Sequence, residues 1–184
     1  MRIEPALELV LPVSARDHIK GPWNAPVTLV EYGDYECPYC GQAYWDLKEI
    51  EEILGDQLCF VFRNFPLTSA HPHAEHAAEA AEVAGAQGKF WQMHDVLFEH
   101  QQALEDQHLV AYADEIGLDV PLFIREMTEH RYAERVREDF LRGVRSGVNG
   151  TPAFFINGAR HQGSFNSRSL LAALRGSAEE KTVH

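Results

Sequence analysis

An α/β fold, with one mixed sheet interrupted by a block of helices, is what this 184-residue sequence predicts, and three observations predict it. VTLVEY (27–32) is an almost unbroken apolar, β-branched run, the pattern of a strand buried on both faces. LCFVFRNF (58–65) repeats that pattern after a segment of helical periodicity. From about 67 to 147 the chain changes to Ala-, Glu- and Arg-rich stretches of period 3.6, and AFFI (153–156) then restores strand character. The order is β-α-β, helices, β-β-α.

Each element has its own signals. Residues 1–26 form an arm carrying Pro5, Pro12, Pro22 and Pro26, whose ALELVLPV stretch is suited to an edge strand. After the first strand, Tyr44, Leu47, Ile50 and Leu54 recur three to four residues apart, and Gly55 marks the stop of a helix that begins at Cys37. Pro66 ends the second strand. HAEHAAEAAEVAG predicts the next helix, with Pro72 in its first turn. In KFWQMHDVLFEHQ, residues Phe90, Trp91, His94, Leu97 and Phe98 share a face. A helix through Leu109, Tyr112, Ala113 and Ile116 stops at Gly117, Pro121 opens a short one, and Tyr132, Val136, Phe140 and Val144 define a longer one ending at Gly147. Asn157-Gly158 predicts a tight hairpin, and Ser167 caps a final helix through Leu174. The expected organisation is an arm (1–26), a sheet domain (27–66 and 148–176), a helical insertion (67–147) and a tail (177–184).

Lys and Arg total 16 against 28 Asp and Glu, a formal charge of −12. Phosphate backbones and anionic lipid would repel such a chain, which argues against nucleic acid and membrane partners. No stretch reaches the roughly 18 apolar residues of a membrane span. Glu4, Pro5 and Glu8 interrupt the run a signal peptide would need, so the expected compartment is the cytoplasm, or the periplasm for a chain that has lost its leader.

The chemistry is concentrated in GDYECPYCGQAY, where two residues separate Cys37 from Cys40. Thiols at this spacing can bind a metal, form a fixed disulfide or cycle as a redox pair. Structural zinc needs four ligands, and no second C-x-x-C follows; the only histidine cluster, His71, His73 and His76, could complete a site only if folding brought it to Cys37. A fixed disulfide is rare in a reducing compartment. For a redox pair, Cys37 sits where strand gives way to helix, beside unpaired N–H groups that favour thiolate. Pro38 suits the first turn, and Cys40, one turn on, is placed to resolve a mixed disulfide. Asp34 and Glu36 oppose the thiolate, by about 1 kcal/mol or less if exposed.

Strand, C-P-Y-C, helix, a long helical block, then Thr151-Pro152 before a terminal hairpin together resemble the thioredoxin fold of the DsbA-like thiol–disulfide oxidoreductases. The likeness covers about 18–175, including DHIKGPWNAPVTLVEYGDYECPYC, QGKFWQMHDVLF and GVNGTPAFFINGA. It implies a disulfide exchanger in which Cys37 attacks and Cys40 resolves. Glu31, six residues before Cys37, matches a buried acid that relays protons to the second thiol. Thr151-Pro152 matches the family's cis-proline loop, and with Pro38 and Tyr39 would contact substrate. Tyr39 departs from the best-known DsbA pattern, which has histidine there. Tyrosine supplies no cation, which implies a less acidic Cys37 and a less oxidising disulfide.

Expected partners are protein thiols and disulfides or glutathione-like small thiols, plus a recycling redox partner; no cofactor and no metal is expected. Two rival functions share the fold: a glutathione-dependent transferase or isomerase, which needs only one nucleophile, and a non-catalytic zinc-binding or scaffold module. Cys59 alternates with Leu58 and Phe60 in a strand and is expected to be structural. The HPHA segment is common to the family, and no chemical role is assigned to it.

Overall fold

The computed structural model describes residues 7–182. Its first strand is β1 (His18–Lys20), followed by β2 (Val27–Gly33), helix α1 (Pro38–Leu54), a 3-10 turn at Gly55–Gln57 and β3 (Leu58–Asn64). Helices α2 (Ala74–Ala86), α3 (Phe90–Glu99), α4 (Asp106–Glu115), α5 (Val120–Thr128) and α6 (Ala133–Arg145) come next. β4 (Ala153–Ile156), β5 (Ala159–Arg160) and α7 (Ser167–Thr182) close the chain. The fold is thioredoxin-like: a mixed five-stranded sheet, ordered β1-β3-β2-β4-β5, with the helical block inserted between β3 and β4.

Packing divides the described residues into two units: 7–32, 42–63 and 142–182 form one, and 33–41 with 64–141 the other. In the sheet unit, β2 and β3 are buried along almost their whole length because both occupy interior positions of the sheet. β4 pairs antiparallel with β2, setting Leu29 opposite Ile156, Val30 opposite Phe155 and Glu31 opposite Phe154. Asn157 (φ 49°) and Gly158 (φ 89°) turn the chain into β5 with the left-handed backbone such a turn requires. A Cβ on Gly21 (φ 88°) would lie 2.2 Å from the Leu58 carbonyl oxygen, so only glycine lets the chain pass there into β2.

Arg63, the one basic residue in β3, is wholly buried and organises the arm. Its guanidinium grips Asp17 with two bonds (Nε to Oδ1, 2.8 Å; Nη2 to Oδ2, 3.0 Å). It also donates to the Tyr32 hydroxyl (3.0 Å) and to the carbonyls of Leu11 (3.2 Å) and Pro12 (3.3 Å). Burial works against the charged forms, but the pairing outweighs it: the Asp17 carboxyl is held below its ordinary value and the guanidinium is raised.

In the helical unit, Asp119 caps α5 by accepting from the Leu122 N–H (3.0 Å), with Pro121 in the first turn. Val83, Met93, Leu97, Leu109, Tyr112 and Phe123 fill its core.

Several elements differ from expectation. Of ALELVLPV, Ala6 lies outside the described residues, and residues 7–13 make one isolated bridge, Glu8 with Ala159, rather than a regular strand; the arm's strand forms at His18–Lys20. α2 starts at Ala74, so Pro72 lies before it rather than in its first turn. Val144 is exposed although its periodicity suggested an inward face. α7 continues through Gly176 to Thr182, past Leu174 and into the expected tail, because Ala178 and Glu179 favour helix.

Candidate active site

Cys37 occupies the position just before the 17-residue α1, and its carbonyl accepts the first intrahelical bond, from Gly41 N–H (3.0 Å). Pro38 is the first helical residue, where a missing N–H leaves no donor unsatisfied. Cys37 and Cys40 are buried, Pro38 and Tyr39 exposed, so this turn presents a proline and an aromatic ring to solvent over two sheltered thiols. None of the three cysteines is disulfide-bonded. Cys59 is buried in β3, as expected of a structural residue.

Asp34 holds this turn in shape. Its backbone carbonyl accepts from Cys37 N–H (3.2 Å), and its N–H donates to Cys40 Sγ (3.4 Å). Its carboxylate, wholly buried, accepts from the N–H of Glu36 on Oδ1 (2.8 Å) and of Leu67 on Oδ2 (2.8 Å). His71 Nδ1 donates to the same Oδ2 at 2.7 Å. One residue therefore touches both cysteines through its backbone and the helical block through its side chain.

Glu36 makes a second, more exposed pair. Its carboxylate accepts from the His73 N–H (2.7 Å) and His73 Nδ1 (2.8 Å). The repulsion expected of Asp34 and Glu36 on the thiolate is thus corrected: each carboxylate faces a histidine, and Asp34 is buried rather than exposed. Desolvation alone would lower the pKa of His71, but the bond to Asp34 and the charges of Asp34, Cys37 and Glu36 outweigh it and raise it. The bond to Glu36 is the largest influence on His73 and raises its pKa too. Both imidazoles therefore carry positive charge to higher pH than a free histidine does.

Gln101 supports the turn from the end of the helical run after α3. Its Nε2 donates to the carbonyls of Tyr35 (2.8 Å) and Cys37 (2.9 Å). A Cβ on Gly41 would lie 1.9 Å from Gln101 Oε1, so glycine at this position leaves room for the amide. Phe90, His94 and Phe98 are buried, as core packing predicted, and the Tyr35 hydroxyl lies 3.1 Å from His94 Nδ1.

The other expected site residues belong to the sheet unit. Glu31 is buried on β2, opposite Phe154. The Thr151–Pro152 peptide bond is cis, immediately before β4, and both residues are half-buried. His71, His73 and Gln101 had no assigned role in the sequence, and Asp34 was read only as a charge opposing the thiolate. The HPHA segment stood out, but its carboxylate partners lie 37 residues back in the chain, beyond the reach of local patterning.

The thioredoxin family model matches residues 14–175. A thioredoxin-like oxidoreductase from Silicibacter pomeroyi superposes with a TM-score of 0.79 at 25% identity, over 90% of this chain and 94% of that one. Wolbachia pipientis alpha-DsbA1 superposes at 0.80 with 20% identity, over 95% and 96% of the two chains, a likeness of fold. In sequence, the chain is 48% identical over 174 residues to a protein of Salinispora arenicola named Na(+)/H(+) antiporter NhaA 1. That match covers 93% of this chain but only 26% of the relative, so the chain spans about a quarter of the length of such relatives. No helix among the described residues is long and apolar enough to cross a membrane.

Proposed function

The chain belongs to the thioredoxin family, and from that premise we propose that it exchanges disulfides with protein thiols through Cys37 and Cys40. The observation that carries this reading is the Cys37 sulfur's residue at the N-terminus of α1, with the Asp34 N–H donating to Cys40 Sγ at 3.4 Å. Cys37 thiolate attacks one sulfur of a substrate disulfide, and the other sulfur departs as a thiolate. Cys40, deprotonated, then attacks Cys37 Sγ. The substrate leaves as a dithiol, and the Cys37–Cys40 disulfide holds the two electrons' worth of oxidation. Run backwards, the same steps oxidise a substrate.

His71 supplies the positive charge that Tyr39 does not. Since the Cys37 charge raises the His71 pKa, a protonated His71 favours the Cys37 thiolate by the same interaction. The Asp34 N–H favours negative charge on Cys40 as it becomes attacker or leaving group. Glu31, buried in β2, is the proposed proton acceptor for Cys40. The Thr151 backbone groups are the proposed partners of an extended substrate, and Pro38 and Tyr39, exposed at the thiol turn, its proposed further contacts. A separate redox partner resets the pair.

Cys37→Ser is expected to abolish dithiol-dependent insulin reduction, and Cys40→Ser to accumulate mixed disulfides visible by mass spectrometry. Undiminished turnover by the Cys37 variant would overturn the assignment of the nucleophile.

A further inference from the structure

A second cluster of metal-binding groups lies in the helical unit. His76 and Glu79 stand three residues apart on α2 and so share a face of that helix. His130, from the turn after α5, brings its Nδ1 to 3.1 Å from Glu79 Oε2 and 3.2 Å from Oε1. One donor atom from each of the three residues lies within 4.8 Å of the other two. Ligands of a tetrahedral zinc ion sit about 3.4 Å apart, given bonds of about 2.0–2.1 Å. The two imidazoles can close that gap, because their side chains are 42% and 57% exposed, whereas Glu79 at 2% is fixed.

Three further features suit a cation. His76 donates Nδ1–H to Asp106 (2.7 Å), which leaves the lone pair on Nε2 and forms the outer half of a carboxylate–histidine–metal arrangement. The Glu79 carboxylate is buried, and a divalent ion would compensate its charge there. His130 holds φ at 49°, a left-handed backbone where glycine is the usual residue, and this conformation delivers its ring to Glu79. Both imidazoles line a cleft of about 370 Å³ with Phe123, Ile124 and Met127, giving an ion a route in.

We propose that His76, Glu79 and His130 form a binding site for a divalent transition-metal ion of the Zn2+ class, with Asp106 orienting His76. Two imidazoles and one carboxylate leave a fourth position for water, and the ion would staple α2 to the α5–α6 turn. None of the ligands is a redox cysteine, so this site is separate from the thiol chemistry. The HPHAEH cluster alone gave no reason to expect metal, because two of the three ligands lie outside it.

The test uses the full chain carrying Cys37→Ser and Cys40→Ser, which removes the vicinal thiols as zinc ligands. Calorimetric titration with Zn2+ should give one site per chain and raise the melting temperature, and Co2+ should give visible bands of a low-symmetry site. His130→Gly, which suits the left-handed backbone at this exposed position, should weaken Zn2+ binding at least about a hundredfold and abolish the thermal shift. Asp106→Asn should weaken it about tenfold, the usual effect of losing an outer partner. Absence of Zn2+ binding, or binding that His130→Gly leaves unchanged, would overturn the site.

Discussion

Two buried acids in this molecule are paired with cations of different kinds. Asp17 faces Arg63, a guanidinium that stays charged at any accessible pH. Asp34 faces His71, whose charge can change near neutrality. Asp17 ties the arm to β3, where only shape is needed, and its pairing is bidentate and permanent. Asp34 contacts both cysteines through its backbone, where a charge that responds to pH or to thiolate formation is useful. The molecule thus uses a fixed charge to hold structure and a titratable one beside its chemistry.

Removing Asp17 should show the largest effect. Asp17→Ala leaves the Arg63 charge buried without its acid, a change that typically costs about 3–5 kcal/mol. Chemical denaturation should report that loss, while the rate of Cys37 alkylation at neutral pH stays unchanged. A comparable loss of thiol reactivity would erase the distinction between the two pairs.

Asp34→Asn should come next. It keeps acceptor capacity for the Glu36 and Leu67 N–H groups on one side-chain oxygen only, and it removes the negative charge that faces His71. The expected loss is about 2 kcal/mol, near that of a hydrogen bond to a charged group. Unlike Asp17→Ala, it should also change the pH dependence of Cys37 alkylation.

The two pairs should also fail at opposite ends of the pH scale. His71 has a raised folded pKa, so its contribution is complete below about pH 6.5 and is lost as pH rises through the raised value. Asp17 has a lowered one, so its contribution is present above about pH 3.8 and is lost as pH falls through the lowered value. Denaturation curves between pH 6 and 9 should therefore lose a component in the wild type that His71→Ala lacks. Equal slopes in the two proteins would remove the titratable pair from the account.

His71→Ala should have the smallest structural effect and a specific chemical one. The alkylation of Cys37 should shift to higher pH and slow by about fivefold at pH 7, equivalent to about 1 kcal/mol. His73→Ala, whose imidazole is 40% exposed, should slow it less than twofold. Reversal of that order would make Glu36, not Asp34, the acid that matters to the thiols.

Strands, most helices and the cysteine pair were legible because each depends on local pattern. VTLVEY and LCFVFRNF declare buried strands, and C-P-Y-C declares a helix start with two thiols one turn apart. The cis bond at Thr151–Pro152 was expected only from family likeness, and it is present. Arg63 stood out as a charge in an apolar strand, but its partner, Asp17, lies 46 residues earlier. The segment 33–41 was expected with the sheet, yet it packs with 64–141, because Asp34, Glu36 and the Tyr35 and Cys37 carbonyls bond to residues between 67 and 101.

By itself, the sequence determined the order of elements and the presence of a thiol pair at a helix N-terminus, since burial periodicity and capping act within a few residues. Only the tertiary structure decided which charges surround those thiols. Coulomb and hydrogen-bond energies depend on distance in space, and Asp34 meets His71 only after 37 residues of chain have folded back.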